Sequence, residues 1–274
     1  MECGPSRIAF SRLVAGGQEC LFVMDADGDA VRQLTTPEQG HSCGPCWSPD
    51  GARLCFASRR DGYSSLFVID AEGSNEVRLT AAEGLDDDYP AWSPDGRTIA
   101  FSRGNGKGPE DLWLIDLASG DERRLTEGGY MDYRPAWSPD GRFVAFRRSL
   151  VERPGVYVVP AAGQDPWYVA RGHDPAWSPT GDRLALSHGE SLWTVPVGLT
   201  GQSTGDPVQL TIHPRAIDRY PTWSPDGSRV AFEREEVSGG DTTSHILTVT
   251  ADGRDLGDLG DGRMPSWSPI LSAR

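Results

Sequence analysis

Apolar and polar residues alternate along this chain in short bursts, with no stretch following a helical period. The bursts recur in a fixed order. After each of five W-S-P triplets stands a segment in which large apolar residues alternate with small or polar ones: RLCFAS from Arg53, TIAFSR from Thr98, FVAFRR from Phe143, RLALSH from Arg183 and RVAFER from Arg229. A second burst follows each: SLFVID, DLWLID, GVYVVP, SLWTVP and HILTVT. Most units then end in a third short segment such as VRLT, RRLT or VQLT. Period-two alternation bounded by Gly, Pro and Asp predicts β-strands joined by tight turns.

The W-S-P string stands at Trp47, Trp92, Trp137, Trp177, Trp223 and Trp267, so the repeat is 40 to 46 residues long. Four strands (A to D) per unit at that period predict propeller blades. Trp closes strand A, and Ser-Pro-Asp-Gly fits the type I turn of an A–B hairpin, with Pro supplying a fixed φ at its second position. The residue before Trp is always small: Cys46, Ala91, Ala136, Ala176, Thr222 or Ser266. So is the centre of strand B: Ala9, Cys55, Ala100, Ala145, Ala185 or Ala231. Large residues on one sheet face and small ones on the other let neighbouring blades interdigitate, and each indole is expected to be buried there. The last unit stops after its strand A, whereas the chain starts on a strand B, SRIAF. The expected fold is therefore all-β: a single domain over residues 1–274, a six-bladed propeller closed by pairing the C-terminal strand A with the N-terminal strands B, C and D.

These residues resemble the TolB-type repeat, P-x-W-S-P-D-G followed by an I-A-F-like strand, over nearly the whole chain. The resemblance implies a six-bladed propeller and, by analogy, binding of protein partners. Similar propellers also sit beside the hydrolase domain of prolyl peptidases and, in a larger ring, in metal-dependent oligogalacturonate lyases. The repeats fill these residues, so no hydrolase domain is expected among them, and fold alone does not settle activity.

A net charge of −14 makes nucleic acid an unexpected partner, because phosphate binding needs a basic face. No apolar run approaches a membrane span, so membrane insertion is not expected. Met1–Ser6 lacks the basic start and apolar core of a signal peptide, which predicts a cytoplasmic protein as written, or a periplasmic or secreted one if a leader has been removed. Five cysteines argue against a disulfide framework.

Gly40–Gly51, GHSCGPCWSPDG, spells both G-x-S-x-G and C-x-x-C. A nucleophile elbow needs a strand–turn–helix, and a redox pair needs a helix N-terminus; the repeat places both matches in or beside strand A. His41, Cys43, Cys46 and Cys55 have zinc-ligand chemistry, but Cys46 and Cys55 fall in small-residue packing slots. Asp25–Asp29 resembles a calcium loop without its distal Glu and reads as an Asx-stabilised turn.

A–B and C–D turns share one face of the ring, and this face is monotonous. B–C loops and D–A crossovers share the other, which carries the variation. Candidate binding residues are His41, Asp87, Tyr89, Asp132, Tyr133, His173, Asp174, His213, Arg215, Asp218, Arg219 and Tyr220. Asp87, Asp132 and Asp218 lie five residues before Trp; a structural alternative pairs them with the basic ring of Arg12, Arg103, Arg148, His188 and Arg234, tying adjacent blades. Carboxylates with histidines could hold a divalent cation at the channel mouth, though no cofactor is required. The leading expectation is a monomeric, non-catalytic scaffold that engages a protein or peptide through the D–A/B–C face. The alternative is an enzyme, a lyase or hydrolase with or without a metal, at the channel mouth.

Overall fold

The computed structural model describes residues 6–149 and 152–269. Met1–Pro5, most of the stretch searched for an export signal, lies outside the described residues. Among the described residues, twenty-four strands form six four-stranded antiparallel sheets. Blade one joins β24 (Arg263–Trp267) to β1 (Arg7–Leu13), β2 (Glu19–Asp25) and β3 (Arg32–Gln33). Blade two runs β4 (His41–Trp47), β5 (Arg53–Arg59), β6 (Ser64–Asp70) and β7 (Val77–Arg78). Blade three is β8 (Asp86–Trp92), β9 (Thr98–Gly104), β10 (Asp111–Asp116) and β11 (Glu122–Arg124). Blade four is β12 (Met131–Trp137), β13 (Phe143–Ser149), β14 (Gly155–Pro160) and β15 (Trp167–Ala170). Blade five is β16 (His173–Trp177), β17 (Arg183–His188), β18 (Ser191–Pro196) and β19 (Val208–Gln209). Blade six is β20 (Ala216–Trp223), β21 (Arg229–Ser238), β22 (Asp241–Thr250) and β23 (Leu256–Asp261). Among the described residues the one helical element is a 3₁₀ turn, Pro37–Gln39.

The ring closes as the split repeat predicts. Ile8 pairs with Trp267 and Ala9 with Ser266. Arg7 and Ser268 exchange two 2.8 Å hydrogen bonds, N–H to Oγ and O to H–N. Closure leaves no blade free to slide, because the first and last segments share one sheet.

The small residues meet each other across strands A and B: Cys46 with Cys55, Ala91 with Ala100, Ala136 with Ala145, Ala176 with Ala185, and Thr222 with Ala231. The core sits between blades. Ala9, Leu21 and Val23 of blade one pack with Trp47, Leu54 and Phe56 of blade two, and the same layering recurs around the ring. Phe10, Phe56, Phe101, Phe146 and Phe232 are fully buried at one repeat position. Three indoles add a directional contact. The Nε1–H of Trp47 donates to Ser266 O (3.0 Å), that of Trp137 to Ala91 O (3.1 Å) and that of Trp223 to Ala176 O (3.2 Å), each bridging to the preceding blade. The expectation that all six indoles are buried is corrected. Trp47, Trp92 and Trp223 are, whereas Trp137, Trp177 and Trp267 keep part of their surface.

In the Ser-Pro-Asp-Gly turns the Gly N–H returns to the Ser carbonyl, 2.8 Å at Gly51 and 3.0 Å at Gly96. The Ser hydroxyl donates to the Asp carboxylate at 2.6 Å in Ser48–Asp50, Ser93–Asp95 and Ser224–Asp226. Such a turn is saturated with its own hydrogen bonds.

Candidate functional site

The A strands line the channel, and a shared irregularity shapes them. Register shifts between the fourth residue before Trp and the residue just before it in all six blades, the closing one included. The third residue before each Trp has a positive φ: Gly44 61°, Tyr89 54°, Arg134 58°, Asp174 53°, Tyr220 54° and Met264 48°. Five of these are not glycine, so the bulge holds side chains in a region they seldom occupy. A proline follows each; strand A is the inner edge of its blade, where a missing N–H costs no ladder bond.

This bulge gathers Gly44 and five side chains (two tyrosines, an arginine, an aspartate and a methionine) around a cavity of about 150 Å³ in the channel. Arg134 dominates it. Its Nη1 meets Asp174 Oδ1 at 2.9 Å, its Nη2 donates to the Tyr220 hydroxyl at 2.8 Å, and its guanidinium lies 4.4 Å and 4.2 Å from the Tyr89 and Tyr220 ring centres. His173 Nδ1 stands 2.8 Å from the second Asp174 oxygen. Burial alone would raise the Asp174 carboxyl, but the Arg134 charge and then His173 hold it below the usual range. Burial pushes the Tyr89 and Tyr220 phenols up. Tyr133 continues the cluster, its ring 6.3 Å from Tyr89 and 5.2 Å from the Arg147 guanidinium. Tyr89, Tyr133, His173, Asp174 and Tyr220 are thus brought together, around an arginine that sequence reading did not single out.

Asp87, Asp132 and Asp218 are fully buried and already engaged. Each grips an arginine through two hydrogen bonds: Arg103 at 2.6 and 2.9 Å, Arg148 at 2.7 and 2.6 Å, Arg234 at 2.7 and 2.8 Å. The pairs are direct cross-strand neighbours on strands A and B, so they brace a single blade and do not tie adjacent blades. Arg12, at the matching place in blade one, donates instead to the Asp261 carbonyl. In blade two the slot holds Ser42 and Ser58, whose hydroxyls are 3.1 Å apart. Ser42 is fully buried, so the G-x-S-x-G serine is a polar cross-strand partner with no access to substrate.

The histidines do not converge on those aspartates. His41 Nε2 lies 3.2 Å from Glu19 Oε2, and His213 Nε2 lies 3.8 Å from Glu236. Arg215 is exposed on the rim, while Arg219 sits opposite Glu233 across strands A and B. Among the described residues one trio has metal-ligand chemistry at metal-ligand spacing, Glu19, His41 and Cys43. Cys46 and Cys55, grouped with His41 on sequence grounds, face each other in the core; burial pushes Cys46 to about 11 and Cys43 to about 12. The four described cysteines are free thiols.

The D–A/B–C face also bears the longest hairpin, the ten-residue strands β21 and β22 meeting at Gly239 and Gly240. The opposite face has the larger depression, about 780 Å³ between blades three and four. Its Asp95 and Asp140 are held by Ser93 and Ser138, and its Asp116 by the amides of Ala118 and Ser119, which leaves little to offer a ligand.

A family model described as TolB beta propeller domain matches residues 87–271. No curated protein sequence matches the chain. Among solved structures, TolB from Acinetobacter baumannii superposes with a TM-score of 0.80 at 22% identity, over 96% of this chain and 67% of that one. Hydrazine synthase from Kuenenia stuttgartiensis gives 0.75 at 13%, over 98% of this chain and 47% of its own. An oligogalacturonate lyase in complex with manganese gives 0.57 at 16%, over 94% and 73%. The chain spans two thirds of the first and less than half of the second. At these identities the likeness speaks for the fold alone.

Proposed function

Because this chain belongs to the TolB β-propeller domain family, we propose that it is a non-catalytic binding protein that engages a protein or peptide through its D–A/B–C face. One observation carries the reading: the chain departs from its own repeat on that face. There stand the projecting β21–β22 hairpin, the exposed Arg215, and Tyr133 beside the channel cluster. The other face repeats one self-satisfied turn. Binding groups belong on irregular loops over a rigid scaffold, and aromatic and arginine side chains are the usual anchors of a protein contact.

The test is capture and cross-linking of partners by the immobilised protein, followed by quantitative binding of the partner recovered. Arg215→Glu and Tyr133→Ala should weaken that binding, and Asp140→Lys on the opposite face should not. Binding insensitive to both rim changes, or lost with Asp140→Lys, would remove the reading. A second reading, metal-assisted lyase or hydrolase chemistry, is favoured by the meeting of a carboxylate, an imidazole and a thiol on the same rim. A turnover abolished by chelation and restored by metal would select it over partner binding.

A further inference from the structure

We propose that Glu19, His41 and Cys43 form a binding site for a divalent cation of the zinc class, set across the seam between the first and second blades. Their ligand atoms all lie within 4.8 Å of one another. His41 and Cys43 are two residues apart on β4, so the strand's period of two turns both side chains to one side. Glu19 comes from the start of β2 in the adjoining blade, with only 5% of its surface exposed.

The spacing suits a tetrahedral ion. Ligand bonds of about 2.0–2.1 Å place neighbouring N and O ligands roughly 3.3 Å apart, and the His41 Nε2 to Glu19 Oε2 separation is 3.2 Å. A thiolate with an imidazole selects zinc-like ions over magnesium or calcium, which prefer all-oxygen shells. Three protein ligands leave a fourth position for water, and the His41 side chain is 43% exposed. Cys43 packs against the apolar cluster between blades two and three, but that contact does not require a thiol. The residue four before Trp is Cys43 here but Asp88, Tyr133, His173, Arg219 or Arg263 in the other blades, so the slot does not demand a small side chain.

Proton bookkeeping is simple. The Cys43 thiol proton leaves to solvent on coordination. The His41 proton moves to Nδ1, and the 3.4 Å contact in which Nδ1 accepts the Glu19 N–H is given up. Arg263 Nη1, 3.5 Å from the other Glu19 oxygen, stays to orient the carboxylate. The proposal does not rest on the partner-binding reading, since the zinc titration needs no partner.

The experiment strips purified protein with a chelator, then titrates it with Zn²⁺ against a chromophoric competitor and, in parallel, with Co²⁺. One ion per chain is expected, and Co²⁺ should show thiolate-to-metal charge-transfer absorption that vanishes in Cys43→Ser. His41→Gln and Glu19→Gln should each weaken zinc at least about tenfold, since even an outer-shell loss has that effect at such sites. His245→Gln, which removes a surface imidazole beside Asp258 and Asp261, should bind as the parent does. Should Cys43→Ser fail to fold, the exposed His41→Gln decides, with its metal-free Tm as the check on folding. The proposal is overturned if no stoichiometric zinc binds, if Cys43→Ser and His41→Gln bind unchanged, or if only His245→Gln loses the ion.

Discussion

Asp132 and Arg148, directly opposite on neighbouring strands of one blade, share two parallel hydrogen bonds of 2.7 and 2.6 Å beneath the channel rim. Both are shielded from solvent, Asp132 completely. The fork-to-carboxylate match makes the geometry good, but its net worth is small beside the cost of breaking it. Asp132→Ala strands a buried guanidinium and should cost about 3–5 kcal/mol, whereas the double change Asp132→Leu with Arg148→Met should come close to neutral. Urea unfolding of the three proteins checks this. A double variant no more stable than the single one would show that the pair contributes net energy.

Trp47 and Trp137 occupy the same repeat position but differ in exposure, Trp47 being 5% exposed and Trp137 half-buried. Trp47→Ala removes a buried ring and an inter-blade hydrogen bond to Ser266 beside the closing seam. It should cost about 3–5 kcal/mol, and Trp137→Ala less, because part of its cavity opens to water. Denaturant midpoints for both variants test the order; equal losses would refute it.

The fold was legible because each blade repeats its punctuation, and a chain that ends on a strand A while beginning on a strand B has one simple closure. The site was legible only in part. Asp87 and Arg103 were both visible, but which blade supplied the partner depended on hairpin register. The column three before Trp reads Gly44, Tyr89, Arg134, Asp174, Tyr220 and Met264, chemically unlike, so nothing in composition joined them. What joins them is a backbone bulge, and a bulge defeats the period-two reading that finds strands. Glu19 escaped notice for another reason: it approaches His41 only across the packing of blade one on blade two.

Stability should fall on both sides of a maximum in pH. Serine hydroxyls hold Asp50, Asp95 and Asp226 below the usual carboxyl range. A depressed group contributes fully above its unfolded pKa, and the contribution is lost as pH falls through the folded one. Burial pushes Asp88 the other way, against help from Ser64. The folded chain then keeps a proton that the unfolded chain has released, so stability declines as pH rises from the ordinary Asp range through the raised value. Asp88→Asn should gain stability over the parent with rising pH and level off above that value. Urea midpoints across the acid range read the difference; a constant offset would discount ionisation of Asp88.

Arg134 is the one cation facing Asp174 among the ion pairs of the described residues, His173 being charged only when protonated. Arg134→Met would leave a buried carboxylate with only the His173 imidazole and a Tyr220 backbone N–H to oppose its desolvation, so its pKa should rise. The penalty should therefore depend on pH. At neutral pH it should reach about 3–5 kcal/mol, the usual cost of orphaning a buried charge. Below the shifted pKa, Asp174 is protonated, and the penalty should shrink to the lost packing against Tyr89 and Tyr220. Arg134→Met with Asp174→Asn should remove the pH dependence while keeping the packing loss. Unfolding midpoints of the single and double variants, compared from acid to neutral pH, measure this. A penalty that stays flat with pH in the single variant would mean that the stacking of Arg134 between two tyrosines, and not its charge, holds the channel ring together.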